Sequence, residues 1–287
     1  MKHLFCCQAV SQIMKSAFTK AGEDKFHGID MRAGAPDLDP RLFIQSVARA
    51  FAVLEAFENG GHSLSLGEIA KACGLDKSAV QRLTYTLTRL GYLERAESGP
   101  GFSPGKRMLR RSFDYLRNTP LIERATPVLT ELRRTARERI DLSLFDDTEI
   151  IYAIRMQSKR ETFFATLVGR RIPIFCSSGG RAMLARLPDD EVTAILARCD
   201  RRPLTPKTII DLPGIWAKIE NARQAGFALA VEEGLIGEVV VAAAVTDDAD
   251  RPLAAVHIAG SLSEWSPGDF SARFSPLVVE AARAIGK

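Results

Sequence analysis

Ser65, Lys77, Ser78, Gln81, Arg82, Tyr85 and Arg95 lie close together in the chain, and each carries a hydrogen-bonding group on a side chain suited to reaching into a nucleic-acid groove. Arg and Lys donate to guanine or to phosphate, Gln pairs bidentately with adenine, and Ser serves a base edge or the backbone. As a set they fit double-stranded DNA. A polar, cationic helix face is more commonly a solvated surface, so the elements that position these residues decide between the two readings.

Those elements are legible. Val47, Ala50, Phe51, Leu54 and Phe57 recur at helical spacing and stop at Asn59-Gly60-Gly61. Ser65-Leu66-Gly67-Glu68 has the form of a capping box and opens a short helix. Cys73-Gly74-Leu75 predicts a tight turn with Gly74 at positive φ, after which Asp76 caps a third helix. In that helix Val80, Leu83, Leu87 and Leu90 form an inward stripe, leaving Lys77, Ser78, Gln81, Arg82, Tyr85 and Arg89 on the other faces. Tyr92 to Arg95 and Gly101 to Ser103 read as the two strands of a wing, with Arg95 and the Ser98-Gly99 tip against the adjacent backbone or minor groove. The unit is a winged helix-turn-helix. Lys106 to Asn118 is a basic amphipathic stretch (Met108, Leu109, Phe113, Leu116), expected as a linker helix that Pro120 ends.

Charge is concentrated where that reading needs it. From Arg41 to Arg117 there are twelve Lys/Arg against seven Asp/Glu, a net of +5, while the whole chain of 287 residues carries only +4. The rest is therefore close to neutral, and the basic excess belongs to the winged unit. The five cysteines are odd in number and lack paired metal-ligand spacing, which points to a reducing, cytoplasmic setting rather than a disulfide framework or zinc site. No apolar run approaches membrane-spanning length.

Residues 1–40 read as a weakly ordered extension, 41–104 as the DNA-binding domain, 105–119 as the linker helix and 120–287 as a second domain. In the last, Ala125 to Arg137 is helical in pattern, and Ile140 to Phe145, Glu149 to Arg155 and Phe163 to Val168 are strand-like. Gly180 to Leu187, Asp190 to Ala197 and Ile215 to Ala225 read as helices. Strands follow at Phe227 to Val231, Val239 to Thr246 and Leu253 to Ala259, then a closing helix near Pro276 to Ile285. This mixture predicts an α+β chain whose second domain has one sheet with helices on its faces. An enzyme would have to use Cys176 or Ser178 as nucleophile with His257 as base, and no orienting acid stands at a recognisable spacing. Catalysis is not expected, nor a cofactor. A ligand-independent DNA-binding protein, using its second domain only to oligomerise, is the alternative class.

Several motifs together resemble the isocitrate-lyase-regulator (IclR) family. They include Leu66-x-Glu68-Ile69-Ala70, Gly74-Leu75-x-Lys77-Ser78-x-Val80-x-Arg82-Leu83 and Leu87-x-x-Leu90-Gly91-Tyr92-Leu93. Further on stand Val168-Gly169-Arg170-Arg171-Ile172-Pro173, Ser177-Ser178-Gly179-Gly180-Arg181-Ala182, Leu204-Thr205-Pro206-Lys207-Thr208 and Glu232-Glu233-x-x-x-Gly237. The resemblance covers about residues 44 to 286. It implies a GAF-like α/β effector-binding domain joined to the winged helix by the linker, with dimers or tetramers reading a palindromic operator. The wording around Gly169 to Pro173 and Phe102 to Leu109 is similar to the subgroup that controls aromatic-acid (β-ketoadipate type) catabolism, which implies a small organic-acid effector.

In relatives that bind small oxo-acids, the resemblance places the effector between the loop before a Gly-Lys/Arg-Ala helix and polar residues on the last three strands. Here the loop is Ser177, Ser178, Gly179 and Gly180, whose amides at a helix start would suit a carboxylate. The matching strand positions are Ala230, Val240, His257 and Ala259. That lining is expected to be less polar and to favour a larger, partly aromatic acid. His257 reads either as a satisfied, partly buried residue or as a ligand contact; Phe145, Tyr152 and Phe164 read as core first and ligand wall second.

Overall fold

The computed structural model describes residues 39, 41–58, 63–97, 99–157 and 167–286. They form two compact units that divide between Arg111 and Ser112.

The first unit contains α1 (Gln45–Glu55), α2 (Leu66–Cys73), α3 (Lys77–Arg89), β1 (Leu93–Arg95) and β2 (Phe102–Pro104). The local chemistry foreseen at its turns is present. Ser65 Oγ accepts from Glu68 N at 3.3 Å while Glu68 Oε2 accepts from Ser65 N at 2.8 Å, closing the capping box. Gly74 turns the chain at φ 65°, and Asp76 Oδ1 accepts from Ala79 N at 2.8 Å to start α3. The β1–β2 hairpin is antiparallel, and Leu64 pairs with Phe102 beside it. Val53, Ile69, Val80 and Leu93 are the fully buried centre of this small core.

Two apolar stripes are partly misplaced by periodicity alone. On α1 the buried residues are Ala52 and Val53, whereas Val47 and Phe51 are 48% and 58% exposed, one turn apart on an outward face. On α3 the helix stops at Arg89, so Leu90 is its C-cap and stands 47% exposed. Thr84 is buried in its stead, its hydroxyl donating to Val80 O at 2.8 Å. The helix α4 (Arg107–Arg117) follows, with no buried residue and with Leu109, Phe113 and Tyr115 exposed. Pro120 occupies the first turn of the next helix, where its missing N–H is harmless.

The second unit is built on a six-stranded antiparallel sheet in the order β5-β4-β3-β8-β7-β6. Its elements are α5 (Pro120–Ala136), β3 (Arg139–Asp146), β4 (Glu149–Met156), β5 (Arg171–Pro173), α6 (Ser178–Leu184), α7 (Asp189–Arg198), α8 (Leu212–Ala225), β6 (Ala228–Val231), β7 (Glu238–Thr246), β8 (Pro252–Ser261) and α9 (Pro267–Gly286). Strand alternation divides it into two cores. Val239, Val241, Val245, Val256 and Ile258 face α5 and α9, while Ile150, Tyr152 and Ala255 face α6, α7 and α8.

Two expectations change here. Of the strand foreseen at 163–168, residues 163–166 lie outside the described residues and Leu167 and Val168 are not in a strand; Arg171–Pro173 pairs with β4 instead. The closing helix starts at Pro267, nine residues before Pro276, and runs through it. An interior proline costs about 3 kcal/mol. The extension, however, fully buries Phe270 and Phe274, each worth roughly 1.5–3 kcal/mol, so burial outweighs the break.

Candidate DNA interface and effector site

The candidate DNA-facing residues are set by the face of α3 that its core contacts leave free. Lys77, Ser78, Gln81, Arg82, Tyr85 and Arg89 are all exposed, as is Arg95 on β1. Lys77, Arg82 and Arg89 have no acidic partner among the described residues, so their charges are not neutralised within the fold. Between α3 and the wing runs an open groove of about 590 Å³, lined by Gln81, Arg82, Tyr85, Arg89, Arg95 and Phe102 among others. The Arg95 guanidinium lies over the Phe102 ring, 4.5 Å from its centre, which orients a cation along that groove. Lys77 and Ser78 sit at the other end, in the first turn of α3, outside the groove. Ser65 differs from the rest: its hydroxyl donates to Glu68 Oε2 at 2.7 Å as well as capping α2, so its polar capacity is used internally. Arg89, Thr86 and Thr88 also line the groove. Sequence reasoning left them out of the contact set because it weighted the helix N-terminus; their i, i+3 and i, i+4 spacing from Arg82 and Tyr85 was the available signal.

The effector-site residues converge on the α6-facing side of the sheet. Strand register places Ala230, Val240, Ala259 and Arg139 in one row, and Ala228, Ala242, His257, Asp141 and Arg155 in the next. Ala244, Ala255, Ser143 and Tyr152 form the third. The loop from Ser177 to Gly180 packs onto this face and is buried throughout. Ser177 Oγ accepts from Gly180 N at 3.0 Å, so that amide is used to start α6. A Cβ on Gly179 would stand 2.3 Å from His257 Cε1, and one on Gly180 would stand 2.1 Å from Ile174 O. The glycines allow backbone to press against neighbours. The expectation of an open cradle of loop amides is therefore corrected: one amide is capped and the loop is closely packed.

Charged residues that were not foreseen share these rows. Asp141 is fully buried, with Arg155 Nε at 3.1 Å from Oδ1 and Arg139 Nε at 2.9 Å from Oδ2. Arg139 Nη1 also pairs with Glu238 Oε1 at 2.7 Å. His257 Nε2 is bonded to Ser143 Oγ at 2.7 Å, and burial pushes its pKa down to about 4, leaving a neutral imidazole at pH 7. Two polar atoms in this group are buried without a hydrogen-bond partner among the described residues, Arg155 Nη1 and His257 Nδ1. Each unmade bond of this kind costs about 1–3 kcal/mol. Asp141, Ser143 and Arg155 escaped the sequence reading because it looked only to the last three strands. Their signal was charge at inward positions of otherwise apolar strands.

The enzyme alternative finds little chemistry. Burial pushes the Cys176 thiol up to about 12, and its sulfur faces Pro173 O at 3.5 Å, whereas His257 is engaged with Ser143. The hypothetical nucleophile and base are not joined. Among the described residues no group of His, Cys, Asp and Glu is arranged to hold a metal, and no helix is long and apolar enough to cross a membrane.

Comparison with known proteins agrees with both halves of this geometry. The model of the IclR helix-turn-helix domain matches residues 46–97, and that of the bacterial transcriptional regulator IclR C-terminal domain matches residues 113–287, more than half of the chain. The chain belongs to the IclR family. It is a DNA-binding transcriptional regulator of the IclR type. Among similar proteins is the Pca regulon regulatory protein of Pseudomonas putida, 28% identical over 253 residues, 88% of this chain and 84% of that protein. A putative transcriptional regulator from Rhodococcus sp. RHA1 superposes with a TM-score of 0.71 at 30% identity, covering 85% of this chain and 97% of that one. An IclR homolog from Microbacterium hydrocarbonoxydans, solved with 4-hydroxybenzoate, shares the fold with a TM-score of 0.67 at 21% identity, covering 84% of this chain and 97% of that one.

Within the IclR fold, a second buried ion pair holds α6 in place. Arg181 Nη1 and Nη2 meet Glu233 Oε1 and Oε2 at 2.5 and 2.7 Å, and Arg181 Nε donates to Phe175 O at 2.8 Å. Both side chains are buried. The pair pins α6 to the turn after β6.

Proposed function

We propose that residues 41–104 bind a palindromic operator through α3 and the wing, that 105–119 link them to residues 120–287, and that a small aromatic carboxylic acid bound there controls operator binding. The observation that carries the DNA half is the exposed, unneutralised set Lys77, Arg82 and Arg89 beside the groove capped by Arg95. Lys77, Ser78, Gln81 and Arg82 read base edges, while Tyr85, Arg89 and Arg95 hold phosphates. Ser65 serves the fold of α2 more than the contact.

The effector half is supported by the polar cluster on the α6-facing side of the sheet, beside Ala230, Val240 and Ala259. The Pca-type relative and the homolog holding 4-hydroxybenzoate favour an aromatic acid over other effectors. Self-association is supported by Ile44, Val47 and Phe51 ahead of and along α1 and by Leu109 and Phe113 on α4, large apolar side chains exposed in the single chain. The protein acts in the cytoplasm as a ligand-responsive regulator without catalytic activity of its own. The experiment is a mobility shift on the DNA upstream of its own gene, with and without 4-hydroxybenzoate. Preference for that DNA over a shuffled duplex, altered by the acid, supports the reading; equal binding to both rejects it.

A further inference from the structure

We infer that Arg155 is the anchor for the effector's carboxylate, and that His257 Nδ1 receives a second polar substituent of the same small, planar ligand. This rests on the reading of the second unit as an effector domain and specifies how that site chooses its ligand.

A guanidinium has five N–H donors and no acceptor. Arg155 Nε and Nη2 reach Asp141 at 3.1 and 3.2 Å, yet Nη1 is buried with no partner among the described residues. Its side chain is only 1% exposed, so solvent does not serve those donors. Neighbouring positions on this face, Ala230, Ala242 and Ala259, end at Cβ and offer no oxygen. A buried cationic donor without an acceptor is an unusual arrangement, and a ligand oxygen would complete it.

The second unpaired atom lies along the same row. Asp141 pairs with Arg155 on one side and with His257 on the other. Tyr152 stands between the two, its ring 3.9 Å from the Arg155 guanidinium carbon and 5.4 Å from the His257 ring. The neutral imidazole supplies a hydrogen bond and no charge, so the positive partner of an anion is Arg155.

The same cluster limits the ligand's charge. Arg139 and Arg155 are already balanced by Asp141 and Glu238. The cluster therefore has no spare positive charge to hold a phosphate-like dianion, and what it offers a ligand is the unpaired Nη1 donor, enough for a single carboxylate. A monocarboxylate on a flat ring that stacks beside Tyr152, with a hydroxyl reaching His257, meets every condition.

Calorimetric titration of the full chain with benzoate, 4-hydroxybenzoate and benzamide tests this on the wild type and on Arg155→Lys, which keeps a cation for Asp141 but lacks the guanidinium fork. The expected results are benzoate binding at least tenfold tighter than benzamide, 4-hydroxybenzoate tighter still, and a tenfold or greater loss for both acids in Arg155→Lys. His257→Ala should remove the advantage of 4-hydroxybenzoate over benzoate. Melting curves of each variant separate loss of binding from loss of fold, and the benzoate–benzamide comparison needs no variant. Equal binding of acid and amide, undiminished binding by folded Arg155→Lys, or no uptake of either acid by the wild type overturns the anchor. Operator preference measured in the same preparation separates these failures from failure of the regulator reading.

Discussion

The two units treat charge in opposite ways. On α3 and the wing, cations stand exposed with no acid to neutralise them. In the second unit, Asp141, Arg155, Arg181 and Glu233 are buried in paired networks, which the part-buried Arg139 joins through Asp141. An exposed cation keeps its hydration until phosphate displaces counterions, which favours fast, salt-sensitive association. A buried network has already lost its water, so its geometry is fixed and its few unpaired atoms become selective. One unit reads by surface field, the other by shape and hydrogen-bond completion.

The contrast is broken most sharply at Glu233. Glu233→Ala leaves the Arg181 guanidinium buried without a counter-charge, a loss of about 3–5 kcal/mol. Urea unfolding followed by Trp216 and Trp265 fluorescence is expected to show it; a loss below 1 kcal/mol would mean the pair is not a fixed support.

His257 gives the next largest effect. Its pKa is about 4 in the fold against 6.5 in the unfolded chain, so between these values the unfolded state binds more protons. The neutral ring's contribution is intact above pH 6.5 and is lost as pH falls towards 4, by about 3 kcal/mol in total. Stability measured at pH 7.0, 5.5 and 4.5 should fall, and His257→Gln should flatten that slope. A variant with the wild-type slope would assign the loss to carboxylates elsewhere.

On the surface side, Arg82→Ala should weaken operator binding by about 1–3 kcal/mol and relax preference at one base position. Lys77→Ala should do the same at a neighbouring base position, with a smaller loss. Unchanged operator affinity in both variants would move the interface off the start of α3. Ser65→Ala sharpens the boundary between fold and contact. With its hydroxyl committed to Glu68, the variant should lose about 1 kcal/mol of stability while operator affinity changes less than threefold.

The helix-turn-helix was legible because its signals are local: a capping box at Ser65-Glu68, a positive-φ Gly74 and an N-cap at Asp76 need only neighbours in sequence. The strands β3, β4, β7 and β8 were likewise visible from alternation. What escaped depends on packing partners distant in the chain. Val47 and Phe51 have helical spacing like core residues, yet the burial of Ala52 and Val53 turns them outward. Asp141 and Arg155 lie fourteen residues apart and become partners only through register across a bulge at Leu142 and Ser143. Gly179 looked like part of an anion-binding loop; its observed role is to admit the His257 ring, a contact across 78 residues of sequence that no motif announces.

The most direct test of the account measures fluorescence anisotropy of the full chain on its own upstream DNA and on a shuffled duplex, at physiological salt, with and without 4-hydroxybenzoate. The account predicts at least a thousandfold preference for the upstream sequence and a shift of that affinity by the acid in the wild type. Equal affinity for the two duplexes, with no response to the acid, would contradict it.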